Sequence, residues 1–368
     1  MIRVLQIIGK PSHGGVESVV LNWYHAIDRT KIQFDFVVDG YDLCYLDSDI
    51  PLLGGKVFHT EKYSKNLFKV MWDLYRIVRR ERPDIVHCHM STLTSIYLLP
   101  AMLAGAKVRI AHSHGTGSKG EGLRYFLKLI LRPTASLFAT KLVACSRVAG
   151  KWMFGETRQK LHEVEIINNA INLDKFKFNP EQRSSLRTKY NLDGKLVLGH
   201  VGRFSREKNQ IFILEIFENI LKKNKNSVLL LVGEGTLRPE IEREVTRLRV
   251  EDKVFFLGVR NNVNELMQVM DVFLLPSYYE GNPVSAIEAQ ACGLPVVTST
   301  AVTQEAKVSS IFKRISLDDS VEVWSESCVQ IASKKRSSHT EEVKLSGFSI
   351  NDVIHKVESM YESLAEDH

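Results

Sequence analysis

Short apolar runs alternate along this chain with longer stretches whose apolar positions recur at helical spacing. In the first half the pattern predicts strands over Arg3–Gly9, Gln33–Asp39, Asp84–His89, Val108–His114 and Lys141–Ser146, with helices near Asn66–Arg80 and Leu93–Leu103. The second half repeats it, with strands over Lys195–Arg203, Ser227–Gly233, Lys253–Gly258, Val272–Leu275 and Pro295–Thr298 and helices over Gln210–Lys222 and Arg238–Leu248. Strand and helix taken in turn predict βαβ units and parallel sheets. A chain of 368 residues also exceeds one typical core, so the fold class is α/β with two Rossmann-like, doubly wound domains. A last helix is predicted over Phe348–Leu364, because Ile350, Val353, Ile354, Val357, Tyr361 and Leu364 share one face, with Ser349 placed to cap it. The polar segment from Ser333 to Glu342, with Lys334, Lys335 and Arg336, reads as a surface connector.

Composition narrows the class. The apolar content of 44% suffices for two cores, and no apolar run approaches a membrane span or a signal-peptide core, so the protein is expected in the cytoplasm. Five scattered cysteines without a Cys-x-x-Cys pair argue against a disulfide framework or a structural zinc. The net charge of +6 is unevenly spread: up to residue 170 there are 23 Lys and Arg against 15 Asp and Glu, and beyond it 26 against 28. A basic first half suits an anionic surface.

The chemistry gathers where strands end. The run Val272–Leu275 stops at Pro276, a polar loop follows, and Asn282 with Pro283 reads as N-cap and first residue of a helix. Glu280 then lies in the loop and Glu288 in the second helical turn, flanking free N–H groups that suit phosphate oxygens. Arg203 and Lys208 follow the strand Lys195–Arg203 and belong to the same sheet edge. Gly14-Gly15-Val16-Glu17 follows the first strand, where a bare backbone allows close approach of a diphosphate, but no stretch completes the dinucleotide pattern Gly-x-Gly-x-x-Gly. His87 and His89, and likewise His112 and His114, are spaced to place each pair on one sheet face; a metal site there lacks an obvious completing carboxylate or thiolate, and no metal is expected.

Glu280-Gly281-Asn282-Pro283, followed by Val284, Glu288-Ala289 and Cys292-Gly293-Leu294-Pro295, resembles the Glu-x7-Glu segment of glycosyltransferase family 4. The resemblance covers nearly the whole chain and implies the GT-B fold, with a deep cleft between domains and a final helix crossing back to the first domain. It implies an acceptor-binding domain over residues 1–172, a donor-binding domain over 173–347 and the returning helix over 348–368. Glu280 is then expected beside the donor sugar, Glu288 on the ribose hydroxyls, and Arg203 and Lys208 on the diphosphate. His114-Gly115 matches the family's His-Gly, whose His contacts the donor sugar; Gly14 and Gly15 belong to its Gly-Gly-x-Glu element. Gly233-Glu234-Gly235 and Gly258-Val259-Arg260 match the loops that hold the nucleobase, and Gly281, Asn282, Pro283 and Val284 complete the donor wall. Glu17 and His89 are the acceptor-side candidates. Glu280, His114, Lys208 and Arg203 are the candidates for catalysis.

The resemblance thus implies a retaining enzyme that moves a sugar from a nucleotide-sugar, a UDP-sugar by preference, to a lipid-linked or free saccharide. The nucleotide-sugar is a co-substrate, and neither cofactor, metal nor nucleic acid is expected. Two departures matter: Asn168 and Ala170 replace the Pro and Gly of the family's inter-domain turn, and Ala301–Ser316 lacks the glycine-rich stretch of many relatives. The second recurs in a capsule and exopolysaccharide branch, which the segment Ile315-Ser316-Leu317-Asp318-Asp319 also resembles. A nucleotide-sugar epimerase and an inactive, transferase-like scaffold are the alternative readings.

One segment stands apart from the donor chemistry. Leu123–Leu131, flanked by Lys119 and Arg132, carries Arg124, Lys128 and Arg132 at steps of four along an apolar helix. It reads either as a core helix with a basic edge or as a helix lying on the anionic inner face of the cell membrane.

Overall fold

In the computed structural model all residues are described except 12–13, 118–122, 161 and 367–368; the side chains of 123, 124 and 159 are also left undescribed. The chain divides into two compact units, one of Met1–Ala170 with Ile350–His368 and the other of Ile171–Ser349.

The first unit is built on seven parallel strands, β1 (Ile2–Gly9), β2 (Ile32–Asp39), β3 (Val57–Thr60), β4 (Ile85–Cys88), β5 (Val108–Ser113), β6 (Lys141–Ala144) and β7 (Val164–Ile166), in the order β3-β2-β1-β4-β5-β6-β7. Apart from the short edge strands β3 and β7, these strands are buried nearly end to end, as expected for a parallel sheet covered on both faces. Strand order reverses between β1 and β4, the point where open α/β sheets present ligand sites. The helix Ile350–Glu366 closes this unit, burying Ile350, Val353, Ile354, Val357, Met360 and Tyr361 against β1 and the helix Gly15–Ala26. Glu358 also accepts from the Asp28 backbone N–H at 2.9 Å.

The second unit has six parallel strands, β8 (Leu196–Val201), β9 (Ser227–Val232), β10 (Val254–Gly258), β11 (Val272–Leu275), β12 (Val296–Ser299) and β13 (Phe312–Ile315), in the order β10-β9-β8-β11-β12-β13. Its order reverses between β8 and β11. At the other end of these two strands lies a cluster of guanidinium groups. Asp271 accepts from Arg183 at 2.5 Å, from Arg187 at 3.2 Å and from the Val197 N–H at 2.8 Å. Arg336 donates to the carbonyls of Gln268 and Met270, each at 2.8 Å, and to those of Met267, Cys292 and Gly293. Burial holds its guanidinium down at about 9, helped by the nearby charge of Arg183. The segment read as a surface connector therefore carries an anchor: five carbonyls accept from one guanidinium, two of them, those of Gln268 and Met270, sharing it with Arg183.

One other local expectation is corrected: Pro283, not Asn282, is the N-cap of the helix Val284–Ala291, because its ψ of 104° is extended and the helix begins one residue later. Ala170, which stands where the family has Gly, is not among the residues with positive φ, so the turn there is made without left-handed backbone.

Candidate functional site

In the second unit β8 and β11 bring two loops together at their carboxyl ends. After β8, Gly202 and Arg203 lead into a short turn, Arg206–Lys208, and Asn209 in the left-handed region (φ 57°) starts the helix Gln210–Lys223. After β11, the loop to Pro283 carries Glu280, whose backbone pairs with Val302. The Tyr278 N–H donates to the Glu207 carbonyl at 2.9 Å, tying the two loops. Lys208 Nζ meets Glu280 Oε1 in an ion pair, and Ser277 Oγ donates to the same oxygen at 3.1 Å. Lys208 and Glu280, 72 positions apart, thus form one half-buried unit at the sheet's switch point. Arg203 stands on the same edge with its side chain exposed.

Glycine is required where these loops pass their neighbours. A Cβ on Gly233 (φ 133°) would sit 2.1 Å from the Gly202 carbonyl oxygen, and one on Gly235 would sit 2.2 Å from that of Phe204. Glu234 between them pairs with Arg238, and Val259 beyond β10 is exposed. Gly281, Asn282 and Pro283 are buried, with Val284 opening the helix that carries Glu288. Burial pushes the partly accessible Glu288 carboxyl up to about 7, with Lys175 pulling the other way. One carboxylate is paired with a cation and the other is held near neutrality by desolvation. Beneath the loops His200 is buried and held down to about 4 by desolvation and by the Lys208 charge, its Nδ1 bonded to the Leu274 carbonyl at 2.9 Å.

In the first unit Gly14 is the N-cap of the helix Gly15–Ala26, and the Glu17 carboxylate reaches back to accept from the Gly14 N–H at 3.2 Å, the half of a capping box that needs no N-cap side chain. Tyr45 donates to its other oxygen, so the buried Glu17 is committed to holding this turn. Tyr45 carried no signal in the sequence. The two histidine pairs do converge, since β4 and β5 are neighbours in register with His87 opposite Ile110. His87, His89 and His112 have ring nitrogens within 4.8 Å of one another, close enough to share an ion. His87 and His89 turn ring nitrogens to His112, Tyr361 and Gln6, while His112 Nε2 is buried without a partner among the described residues. His89 Nδ1 meets His114 Nε2 at 2.7 Å, and His114 Nδ1 meets Asn169 Oδ1 at 3.1 Å. Burial keeps His87, His89 and His112 well below the usual imidazole range and His114 down at about 4.

The model described as Glycosyltransferase Family 4 matches residues 13–175, and that described as Glycosyl transferases group 1 matches residues 182–310. A Bacillus subtilis (strain 168) chain described as a glycosyltransferase, EpsF, is 33% identical over 340 residues, 91% of this chain and 88% of its own. The chain belongs to glycosyltransferase family 4. An Escherichia coli relative, named UDP-Gal:alpha-D-GlcNAc-diphosphoundecaprenol alpha-1,3-galactosyltransferase, is 24% identical over 98% of this chain and 96% of its own. Among solved structures, Anabaena HepE, crystallised with UDP and glucose, superposes with a TM-score of 0.77 over 99% of this chain and 100% of its own, at 17% identity. The transferase accordingly has the two Rossmann-like domains of the GT-B fold.

The helix Leu123–Leu131 of this transferase is no core helix on the side chains described. None of them is buried, and Phe126, Leu127 and Ile130 are 59%, 50% and 56% exposed. Arg132 lies over the Trp152 ring at 6.0 Å. Arg124, a member of the expected basic stripe, has its side chain outside the described residues, as does the flanking Lys119. Among the described residues no helix is long and apolar enough to cross a membrane.

Glu288 makes the stability of the transferase depend on pH. Its carboxyl titrates at about 7 in the folded protein against the ordinary 4.5, so folding favours the protonated form. That contribution is present in full below pH 4.5 and is lost as pH rises through about 7. Ionised Glu288 then costs roughly 3 kcal/mol. Glu288→Gln should match the wild type in the unfolding free energy from urea denaturation at pH 4.5 and exceed it at pH 8, by roughly 3 kcal/mol. The same difference at both pH values would remove burial of this carboxylate as the cause.

Proposed function

We propose that this transferase moves a sugar, with retention of configuration, from a UDP-sugar to a saccharide carried on a lipid diphosphate, in the building of a cell-surface polysaccharide. The observation that carries the donor half is the Lys208–Glu280 pair at the switch point of the second sheet, beside the helix that holds Glu288. HepE, of the same fold, was crystallised with UDP and glucose, and the E. coli relative is named for a UDP-sugar and a diphosphoundecaprenol acceptor.

As the donor bond breaks, negative charge builds on the departing diphosphate. Fixed cations stabilise that charge more than they stabilise the intact donor. Lys208 and Arg203 take this role in the proposal, as the matching family residues do, so that no metal is required for catalysis. Glu280 has a double part: without ligand it neutralises and positions Lys208, and with donor bound it accepts from sugar hydroxyls. Glu288 accepts from the ribose, with Gly233, Glu234 and Val259 bordering the base, Gly281, Asn282, Pro283 and Val284 lining the donor, and Gly14 and Gly15 leaving room for the diphosphate. His114 contacts the sugar. His89 and Glu17 serve the acceptor side through the rings and turn they hold in place.

The acceptor half rests on the surface of the first unit. Exposed Phe126, Leu127 and Ile130 beside Lys128 and Arg132 suit the boundary of an anionic leaflet, where the lipid-linked acceptor resides. The protein is then cytoplasmic and bound reversibly to the inner face of the membrane.

Lys208→Ala should lower kcat by roughly 10²–10³, the cost of losing one donor to a developing charge. A near wild-type kcat with only a raised donor KM would refute the transition-state role. Within the Glu pair, calorimetry should show Glu288→Gln losing UDP affinity while Glu280→Gln keeps it and loses transfer; equal loss of UDP binding in both would sink the division. For the membrane, the triple Arg124, Lys128 and Arg132→Glu variant should sediment with anionic vesicles less than the wild type, a difference that fades with salt as charges are screened over about 8 Å. Equal binding to anionic and neutral vesicles would return the helix to an ordinary surface element.

A further inference from the structure

An unbroken chain of polar side chains in the first unit leads to His114, and the donor chemistry as proposed uses none of its other members. It begins at His112, whose Nδ1 lies 3.1 Å from His87 Nε2; His87 Nδ1 lies 2.7 Å from the Tyr361 hydroxyl. Gln6 Nε2 reaches the same hydroxyl at 3.0 Å, and Gln6 Oε1 lies 2.8 Å from His89 Nε2. From His89 the chain continues through His114 to Asn169. The indole of Trp23 stacks on His112 at 5.7 Å and shields the chain from one side. Gln6, His87, His89, His112 and Tyr361 are all buried, so water does not break the sequence.

Each neutral imidazole has one N–H and one bare nitrogen, so each ring passes on the direction of the hydrogen bond it receives. The two amides at the ends of the His89–His114 stretch then constrain one another. With Gln6 Oε1 toward His89, His89 donates from Nε2, His114 donates from Nε2, and His114 Nδ1 is bare, facing Asn169 Oδ1: two acceptors in contact. One amide must be turned over, since oxygen and nitrogen of an amide are alike in shape. His112 decides which. Its Nε2 is buried without a partner among the described residues. If Gln6 keeps this orientation, Tyr361 donates to His87, His87 to His112, and His112 Nε2 is an orphan donor. If Gln6 turns over, every bond reverses and that nitrogen is an orphan acceptor, the less rare of the two in folded proteins. Asn169 then keeps its oxygen toward His114.

We propose that Gln6 and Tyr361 are positioning residues that hold His114 in a single tautomer, protonated on Nδ1, by fixing the direction of the hydrogen bonds through His89. In this tautomer the His114 Nδ1–H points at Asn169 Oδ1, so a ligand oxygen that takes this proton shares it with that amide or displaces it, and the helix Ile350–Glu366 contributes to the chemistry through its one tyrosine hydroxyl. The consequence for transfer rests on the assignment of His114 to the donor sugar.

The test uses the full-length protein labelled with ¹⁵N-histidine, in which long-range ¹H–¹⁵N spectra distinguish the two tautomers; His114→Gln identifies the His114 signals. The wild type should show His114 as Nδ1–H alone. Tyr361→Phe, which keeps the ring and loses the hydroxyl, and Gln6→Leu, which cuts the chain, should each give a mixture, with kcat down about tenfold, as for other groups that orient a reacting side chain, and donor KM unchanged. Two substitutions guard against one variant failing to fold. A pure Nδ1–H pattern in both variants, a mixture in the wild type, or an Nε2–H wild type would each overturn the inference. If the tautomer shifts as expected while kcat does not change, the inference stands and the placement of His114 at the donor sugar falls.

Discussion

The carboxylate of Asp271 holds the second unit by its base. It stands at the entry to β11 and binds Arg183, Arg187 and the Val197 N–H at the start of β8, so the two central strands are pinned against each other before either reaches the site. Buried ion pairs are weak evidence for stability in general, because desolvation offsets their attraction. Here the remaining guanidinium donors are taken up: Arg187 also binds the carbonyls of Val269, Leu192 and Lys195, and Arg336 binds five more. The position of β11 in turn sets where the loop bearing Glu280 leaves the sheet.

At the opposite edge the same unit tolerates what its base avoids. Glu288 has no ion pair among the described residues, and the Lys175 charge opposes the cost of its burial. Local rules are broken where a ligand is expected to complete them. The contrast between two carboxylates eight positions apart, one ion-paired and one desolvated, arises because one is carried by the loop and the other by the helix behind it.

Central strands were legible in the sequence because burial on both faces leaves unbroken apolar runs, as in Val272–Leu275. The strands that escaped notice, β3, β7 and β13, lie at sheet edges, are half-buried and span no more than four residues. Glu280 and Glu288 could be found from spacing and motif, but the pairing of Glu280 with Lys208 depends on β8 and β11 being neighbours, which spacing does not encode. The histidine pairs were visible through their alternation, whereas their convergence needed the β4–β5 register and a tyrosine from the far end of the chain. Arg336 was misread because a basic residue in a polar stretch gives no hint that five carbonyls await it.

The helix Ile350–Glu366 belongs to the first unit yet follows the whole of the second unit in the chain. At translation rates of about 5–20 residues per second, the sheet of the first unit waits roughly 10–40 s for the side chains that complete its interior. During that interval β1 and the helix Gly15–Ala26 lack the apolar cover of Val353, Val357 and Tyr361, and Gln6 and His87 lack a hydroxyl partner. The second unit, contiguous from Ile171 to Ser349, has all its parts before that helix is made. The half of the chain that leaves the ribosome first is thus the half that is completed last, and loss of the helix Ile350–Glu366 falls on the interior of that first half.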